Sequence, residues 1–509
     1  MNSTSDTSVN RDAVPVYTPP AWAGAPLRNT ILFLSIPALL ISIPLAFDIS
    51  LPKPVLYGVA AAVGVVMMVR SFRDPEWLLA AFILYMPLSK MVVVPLAPGV
   101  NGTNMLMLLC IIAWVANATR EERPFFRKLP GSKLVLWFGI YSSLSGVTLI
   151  FSSLGFSYLL AIAPLLKAWI DQFMVFFIFL NLIRDGIMAR RIVIYMMIGM
   201  VLVSFLGAME MLDKQGLATI EKSRVLGPQL QPNDHGAFLV YSLAPFIGIF
   251  LANIWRLRTW VLLPYFLVVA KVIIATFSRG AWLGLAAGAF AAGLTRGIRF
   301  SFAMGLLGIL AILLMPQLIP DSIMARIAHT QGQPGQIQVE ELDRSSENRL
   351  ILWRAAIDMT LEDPVFGKGF KAFPRLKARY TEYDVWESDT HNMYLFISSQ
   401  MGIPALILFI LILARMFFLG WGMRSDPDSF IRGMAIAAAA MSGSIAVINM
   451  FGSRMINIEV DGYFWIFLAV LAHIRTEVDE RPEELQWAME KNHQPNMEPA
   501  KHPVWDRQW

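Results

Sequence analysis

The sequence predicts an all-α polytopic membrane protein of about 12–14 transmembrane helices with one long, partly helical external loop. Three observations carry this. Hydrophobic residues make up 56% of the 509 and charged residues only 16%, with a mean hydropathy of +0.55, too little charge to cover a soluble surface of that length. Apolar runs long enough to cross a bilayer, about 20 residues each, recur along the chain. Lysine and arginine between them fall on one side.

Residues 1–28, polar and Pro/Ala-rich, read as a disordered cytosolic tail, and no basic segment leads into an apolar one as a cleavable signal peptide requires. Residues 29–316 carry the first group of spans: 30–48, 54–69, 76–94, 104–118, 134–151, 168–183, 192–211, 236–254, 260–277, 280–294 and 300–316. Residues 317–391 form the long external loop, and 392–474 carry further spans at 393–414, 433–451 and 460–474. Residues 475–509, alternating acids, bases, Pro and Trp, read as a second disordered tail.

Arg70, Arg73, the 120–133 segment "REERPFFRKLPGSK", "RDGIMARR", "RLR", "TRGIR", Arg415, Arg424 and Arg432 all fall on one face of this topology, which makes both termini cytosolic. The net charge of +5 is modest, and no nucleic-acid partner is expected. The single cysteine, Cys110, lies in an apolar run, so neither a disulfide framework nor a thiolate metal site is available.

Three external segments stand out: 213–236, the tight "SRG" at 278–280, and the 317–391 loop, far beyond the usual limit of about 12–15 residues for a structureless connection. Within that loop "SSENRLILWRAAIDMTLEDP" predicts a helix capped by Ser345 or Ser346. Its apolar stripe, Leu350, Trp353, Ile357 and Leu361, packs on the membrane domain, and Asp363-Pro364 stops it.

Arg224, just before a span, and Arg279, between two spans with almost no loop, break the charge pattern of the outer face. Two guanidiniums at one membrane boundary suit a diphosphate, whose oxygens match the arginine fork. Capping a carbonyl or snorkelling to headgroups is the other reading of each. His391, in "ESDTHNMYLF", has the ordinary pKa for base chemistry near neutrality, with Glu387 and Asp389 beside it; the other reading is a cap on the following helix. His235 in "QPNDHG" competes with it but reads more as a helix start. Lys271 has no partner in sequence and is expected to face the cavity of Arg279, whereas Lys167 and Asp171, spaced i,i+4, pair with each other. No HExxH or His/Cys cluster exists; "DPD" at 426–428 reads as a turn, and "ESD" at 387–389 leaves a divalent ion as a lesser alternative.

The arginine loop before "NDHG", then "SRGAWLGL", then "ENRLILWRAAIDMTLEDPVFGKGF" and "DTHNMYLFISSQMGIPAL", together resemble the O-antigen ligase and O-antigen polymerase superfamily, over residues 220–415. The resemblance implies a GT-C-like glycosyltransferase of the bacterial inner membrane with a periplasmic active site, acting in lipopolysaccharide, exopolysaccharide or other surface polysaccharide synthesis. It implies an undecaprenyl-diphosphate-linked glycan as donor, a glycan or lipid-A-core-like acceptor, inversion at the anomeric carbon, and no metal or other cofactor. Carried over, Arg224 and Arg279 hold the diphosphate and His391 is the essential histidine of the loop. Arg349, Arg354, Asp389 and Lys271 are the further substrate-binding candidates. A lipid-linked oligosaccharide flippase is the alternative, which the missing internal repeat and the asymmetric loop disfavour.

Overall fold

The computed structural model describes residues 65–66, 69–71, 74–92, 101–214, 220–303, 305–306, 344–381, 385 and 387–481. They fall in one unit, Gly64–Arg481. The tail expected at 1–28, the span at 30–48, most of those at 54–69 and 300–316, and residues 317–343 of the long loop lie outside the described residues.

The described elements are helices, with no strand among them. In chain order they are α1 (Glu76–Tyr85), α2 (Gly102–Arg120), α3 (Ser132–Val147), α4 (Gly155–Leu182), α5 (Gly186–Asp213), α6 (Pro232–Ser242), α7 (Ala244–Ala252), α8 (Leu262–Ala275), α9 (Arg279–Leu294), α10 (Arg344–Glu362), α11 (Met393–Met401), α12 (Ile403–Trp421), α13 (Ser429–Ile448) and α14 (Ile458–Asp479). Eight helical segments among the described residues are long and apolar enough to cross a membrane, α6 and α7 counting as one. The protein is thus an all-α polytopic membrane protein.

Several starts are fixed by side-chain caps that satisfy the first free N–H groups. Asn101, Asp185, Gln231, Ser278, Asn392 and Asp428 accept for α2, α5, α6, α9, α11 and α13.

Three sequence expectations are corrected. The span at 393–414 is broken at Gly402 (φ 87°), where the backbone turns against Val365, so α11 has only nine residues and α12 makes the crossing. Residues 475–481, expected in the second tail, are part of the bundle: α14 continues to Asp479 and Arg481 reaches Asp426 at 2.7 Å, while 482–509 lie outside the described residues. The helix expected in the loop is present as α10, but it begins at Arg344 and its buried face is Leu352, Ala355, Ala356 and Met359, packed on α11. Leu350, Ile357 and Leu361 are the exposed residues.

Close helix contact in lipid depends on small residues, since lipid is as apolar as the side chains it replaces. Gly280, Gly284 and Gly288 form a stripe on α9 facing Phe451, Ile448 and Ser444, and Gly248 of α7 approaches the backbone of α13 at Gly433. These contacts place the last turn of α13 beside the first turn of α9. Arg432 at the start of α13, Arg296 just past the end of α9 and Arg190 near the start of α5 lie at the opposite end of the bundle, where Arg190 meets Asp428 at 2.7 Å.

A Cβ at Gly248 would overlap the carbonyl oxygen of Gly433, which is backbone and has no rotamer to yield. Gly248→Ala is therefore expected to destabilise the bundle by about 1–3 kcal/mol, seen as a lower melting temperature in detergent; an unchanged melting curve would contradict this packing.

Candidate active site

A polar stretch precedes α6, and its backbone is fixed from below. Glu210, near the end of α5, accepts from the N–H groups of Leu226 (3.0 Å) and Gly227 (2.7 Å), and pairs with Lys214 at 2.7 Å. The N–H of Val225 donates to the carbonyl of Ala275 at 3.0 Å, tying this stretch to the end of α8. Arg224 is thereby aimed across the turn: its Nε donates to the carbonyl of Thr276 and its Nη2 to Oδ1 of Asn233, both at 3.0 Å.

The α8–α9 turn passes through Phe277, whose φ of 52° is left-handed, an uncommon conformation for a bulky residue. Ser278 then caps α9 and Arg279 is its first residue. A cation there opposes the helix dipole, whose positive end lies at the N-terminus. An anion at that point is attracted by both the guanidinium and the helix dipole.

Two further arginines complete the arrangement. Arg349 reaches in from α10. Arg454, in the link between α13 and α14, donates from Nη1 to Oδ1 of Asp234 at 2.5 Å, in a pair that is nearly buried on both sides. Arg224, Arg279, Arg349 and Arg454 line one cavity of about 310 Å³ together with Asn233 and Ser278. Phe277, Leu283, Ile448 and Phe451 form its apolar wall, and Leu283 is also exposed on the outside of the bundle. No carboxylate lines it among the described residues.

His391 lies immediately before α11 with φ 51°, also left-handed. It does not line the cavity, but it is electrostatically coupled to Arg349 and Arg454, which do. Its Nδ1 stands 3.7 Å from Oδ2 of Asp389. Burial pushes the imidazole below its ordinary pKa of 6.5; Asp389 and Glu387 act against this, and the guanidiniums of Arg349 and Arg454 add to it. The ring is consequently neutral at pH 7, the form that accepts a proton. The helix-capping alternative falls to Asn392, whose Oδ1 accepts from the N–H groups of Tyr394 (3.0 Å) and Leu395 (3.2 Å). Glu387 is tied to α10 by Asn348, 2.9 Å from its Oε1.

The structure thus brings Arg224, Arg279 and Arg349 into one cavity and sets His391 and Asp389 beside it. Lys271 is not among them: it is exposed on α8, contrary to the expectation that it faces the cavity. Arg354 is exposed on α10 and does not line it either. His235 is fully buried, its Nδ1 2.8 Å from Oε1 of Gln229, and belongs to the packing between α5 and α6. Lys167 and Asp171 pair at 2.5 Å. Sequence reasoning missed Arg454, Asp234 and Asn233. The signal for Arg454 is a lone arginine in a short link on the same side as Arg279; Asn233 and Asp234 carry no sequence signal beyond that of a helix start. Among the described residues no group of three His, Cys, Asp or Glu side chains is placed to hold a metal ion.

The fold and site define a polytopic membrane protein with a polybasic, apolar-walled cavity at one end of its bundle. Residues 264–410 match the O-antigen ligase family. The matched segment contains Arg279, Arg349 and His391, while Arg224 and Arg454 are supplied from outside it. No curated protein matches the chain.

Removing one partner of a buried ion pair leaves the other uncompensated, whereas replacing both by apolar groups is often nearly neutral. Asp234→Ala should destabilise the protein by about 3–5 kcal/mol and Asp234→Ala/Arg454→Met by clearly less. Denaturation of the purified variants in detergent measures both, and equal losses would remove the pair from its proposed place in the site.

Proposed function

We propose that the protein is an O-antigen ligase-like glycosyltransferase that moves a glycan from an undecaprenyl diphosphate carrier to an acceptor hydroxyl at the periplasmic face of the inner membrane. The observation that carries this reading is the convergence of four guanidiniums on one apolar-walled cavity beside a neutral histidine. Their forks match diphosphate oxygens, and Leu283, which belongs both to the cavity wall and to the outside of the bundle, offers the carrier's tail an apolar exit. The cavity's position opposite the arginine-rich turns supports the periplasmic side, since lysine and arginine favour the cytosolic one.

In this reaction the acceptor is a sugar hydroxyl of a growing glycan or of a lipid-A-core-like glycolipid. Its oxygen attacks the anomeric carbon from the face opposite the diphosphate, with inversion, as the bond to the diphosphate breaks. His391 takes the hydroxyl proton, with Asp389 beside Nδ1 to stabilise the imidazolium that forms. Charge grows on the leaving diphosphate, where Arg224 and Arg279 meet it, with Arg349 and Arg454 behind them. Fixed charges aimed at a developing anion in a site shielded from water lower the barrier directly, so no divalent cation is required.

Charge-assisted hydrogen bonds contribute about 1.5–3 kcal/mol each. Arg224→Ala and Arg279→Ala should therefore each reduce turnover on the order of 10- to 100-fold, and His391→Ala should abolish most of it. The assay is release of undecaprenyl diphosphate from a lipid-linked glycan in the presence of acceptor. Full activity in both Arg279→Ala and His391→Ala would overturn the site, and a wild type that moves the lipid across liposomes without releasing the diphosphate would favour the flippase.

The pH dependence carries a sign. His391 must be neutral to act, and its pKa is lowered, so activity is retained below pH 6.5 and falls only as pH drops through the lowered value. Asp389→Asn removes a group that raises the pKa and should move the acid limb to lower pH, while Arg349→Gln removes one that lowers it and should move the limb to higher pH. Limbs that coincide in all three proteins would separate His391 from the chemistry.

A further inference from the structure

Asn449 ends α13 with no exposed surface. Every polar group of this residue is used. Its carbonyl accepts from the N–H of Met393, two residues after His391, at 2.8 Å. Its side-chain Oδ1 accepts from the backbone N–H of Arg454 at 3.1 Å. Its Nδ2 donates to the hydroxyl of Tyr241 on α6 at 3.0 Å and to the carbonyl of Ile445 at 2.9 Å, and its N–H also donates to Ile445 at 3.1 Å.

Around it the His391 segment is held to α13 and its following link at more points. The Tyr394 hydroxyl donates to the carbonyl of Ala446 at 2.7 Å, and the hydroxyls of the buried Thr390 and Ser453 lie 3.4 Å apart. Beyond it, Arg454 meets Asp234, and the adjacent Asn233 meets Arg224. The elements carrying the base and the guanidiniums have separate origins in the chain, and the single residue bonded to all three of the α11 start, the Arg454 link and α6 among the described residues is Asn449.

We propose that Asn449 is a positioning residue that fixes the distance between His391 and Arg454, and so between the proton-accepting group and the diphosphate clamp. This rests on the glycosyltransferase reading above. Asn449 touches neither reactant. Its carbonyl holds the N–H of Met393 and its Oδ1 the N–H of Arg454, and the carbonyl of Ile445, on the same helix, engages Nδ2 and so keeps Oδ1 presented to Arg454 even without Tyr241. The residues facing His391 are Asp389 and Glu387 from its own segment, Arg349 from α10 and Arg454 from the α13–α14 link. Only Arg454 is tied to Asn449 by a direct bond.

The test uses the full-length protein in liposomes, with undecaprenyl diphosphate release followed against donor concentration and pH. Asn449→Ala should raise KM for the donor and lower kcat/KM on the order of 10- to 100-fold, the scale of a small misplacement of catalytic groups. Its acid limb should move to higher pH, because the Arg454 backbone, released from Oδ1, lets the guanidinium be drawn toward Asp234 and press less on the His391 imidazolium. Tyr241→Phe removes a bond from the same amide but leaves both backbone contacts, and should keep the wild-type limb. The proposal is overturned if Asn449→Ala loses activity only in proportion to its folded fraction with KM and limb unmoved, or if Tyr241→Phe moves the limb equally. Should Asn449→Ala fail to fold, Asn449→Ser reads the same shift: a limb moved upward supports the assignment and an unmoved limb overturns it. Failure of the parent reading shows separately, as full activity in His391→Ala or no release by wild type, and takes this inference with it.

Discussion

A carboxylate on the first turn of α6 meets a guanidinium from the link between α13 and α14, and the geometry of the site follows from that contact. Asp234 and Arg454 lie 220 residues apart in sequence and both are nearly buried. A charge out of water needs a partner, so each residue holds the other's element in place. Asn233, one residue before Asp234, receives Arg224, and the Arg454 backbone leads through Asn449 to the His391 segment. Asp234 is thereby spent on architecture, and no carboxylate among the described residues lines the cavity.

That network needs a firm wall, which α13 provides. Its small residues admit α7, α9 and α12 to backbone distance, and Gly420 of α12 lies against Ala435 and Ala438 just as the α9 glycines lie against Ser444 and Ile448. Packed helices of this kind move as blocks, because their interfaces fit in one way. The neighbouring α11 is different in kind. It is short, breaks from α12 at Gly402, and reaches α13 by hydrogen bonds to Asn449 and Ala446.

The membrane class, most helices and the isolated arginines were legible in the sequence because each rests on local composition: apolar length, a one-sided charge pattern, and a charge where that pattern forbids one. The face of α10 was not. Large apolar residues repeat at helical spacing on one side and small ones on the other. A rule drawn from soluble proteins buries the large side, whereas here the alanines and Met359 pack inward and Leu361 faces out. The break at Gly402 was hidden for a related reason, since both flanks are apolar and only the contact with Val365 demands the turn. Lys271 was misplaced because a helical turn count gives a height along α8 and says nothing about which neighbours stand there. Arg454 has the same signature as Arg279, a lone arginine in a link on the outer face. Its bond to Asp234 could not have been read from sequence, because nothing local couples residues so far apart.

Arg279 at the head of α9 has a consequence for handling the protein. With the dipole of its own helix and three other guanidiniums lining the same cavity, Arg279 stands where an anion is attracted from several sides. An anion bound there favours the folded state, so occupancy and conformational stability are linked quantities. Phosphate or pyrophosphate in the storage buffer would then act as a preservative.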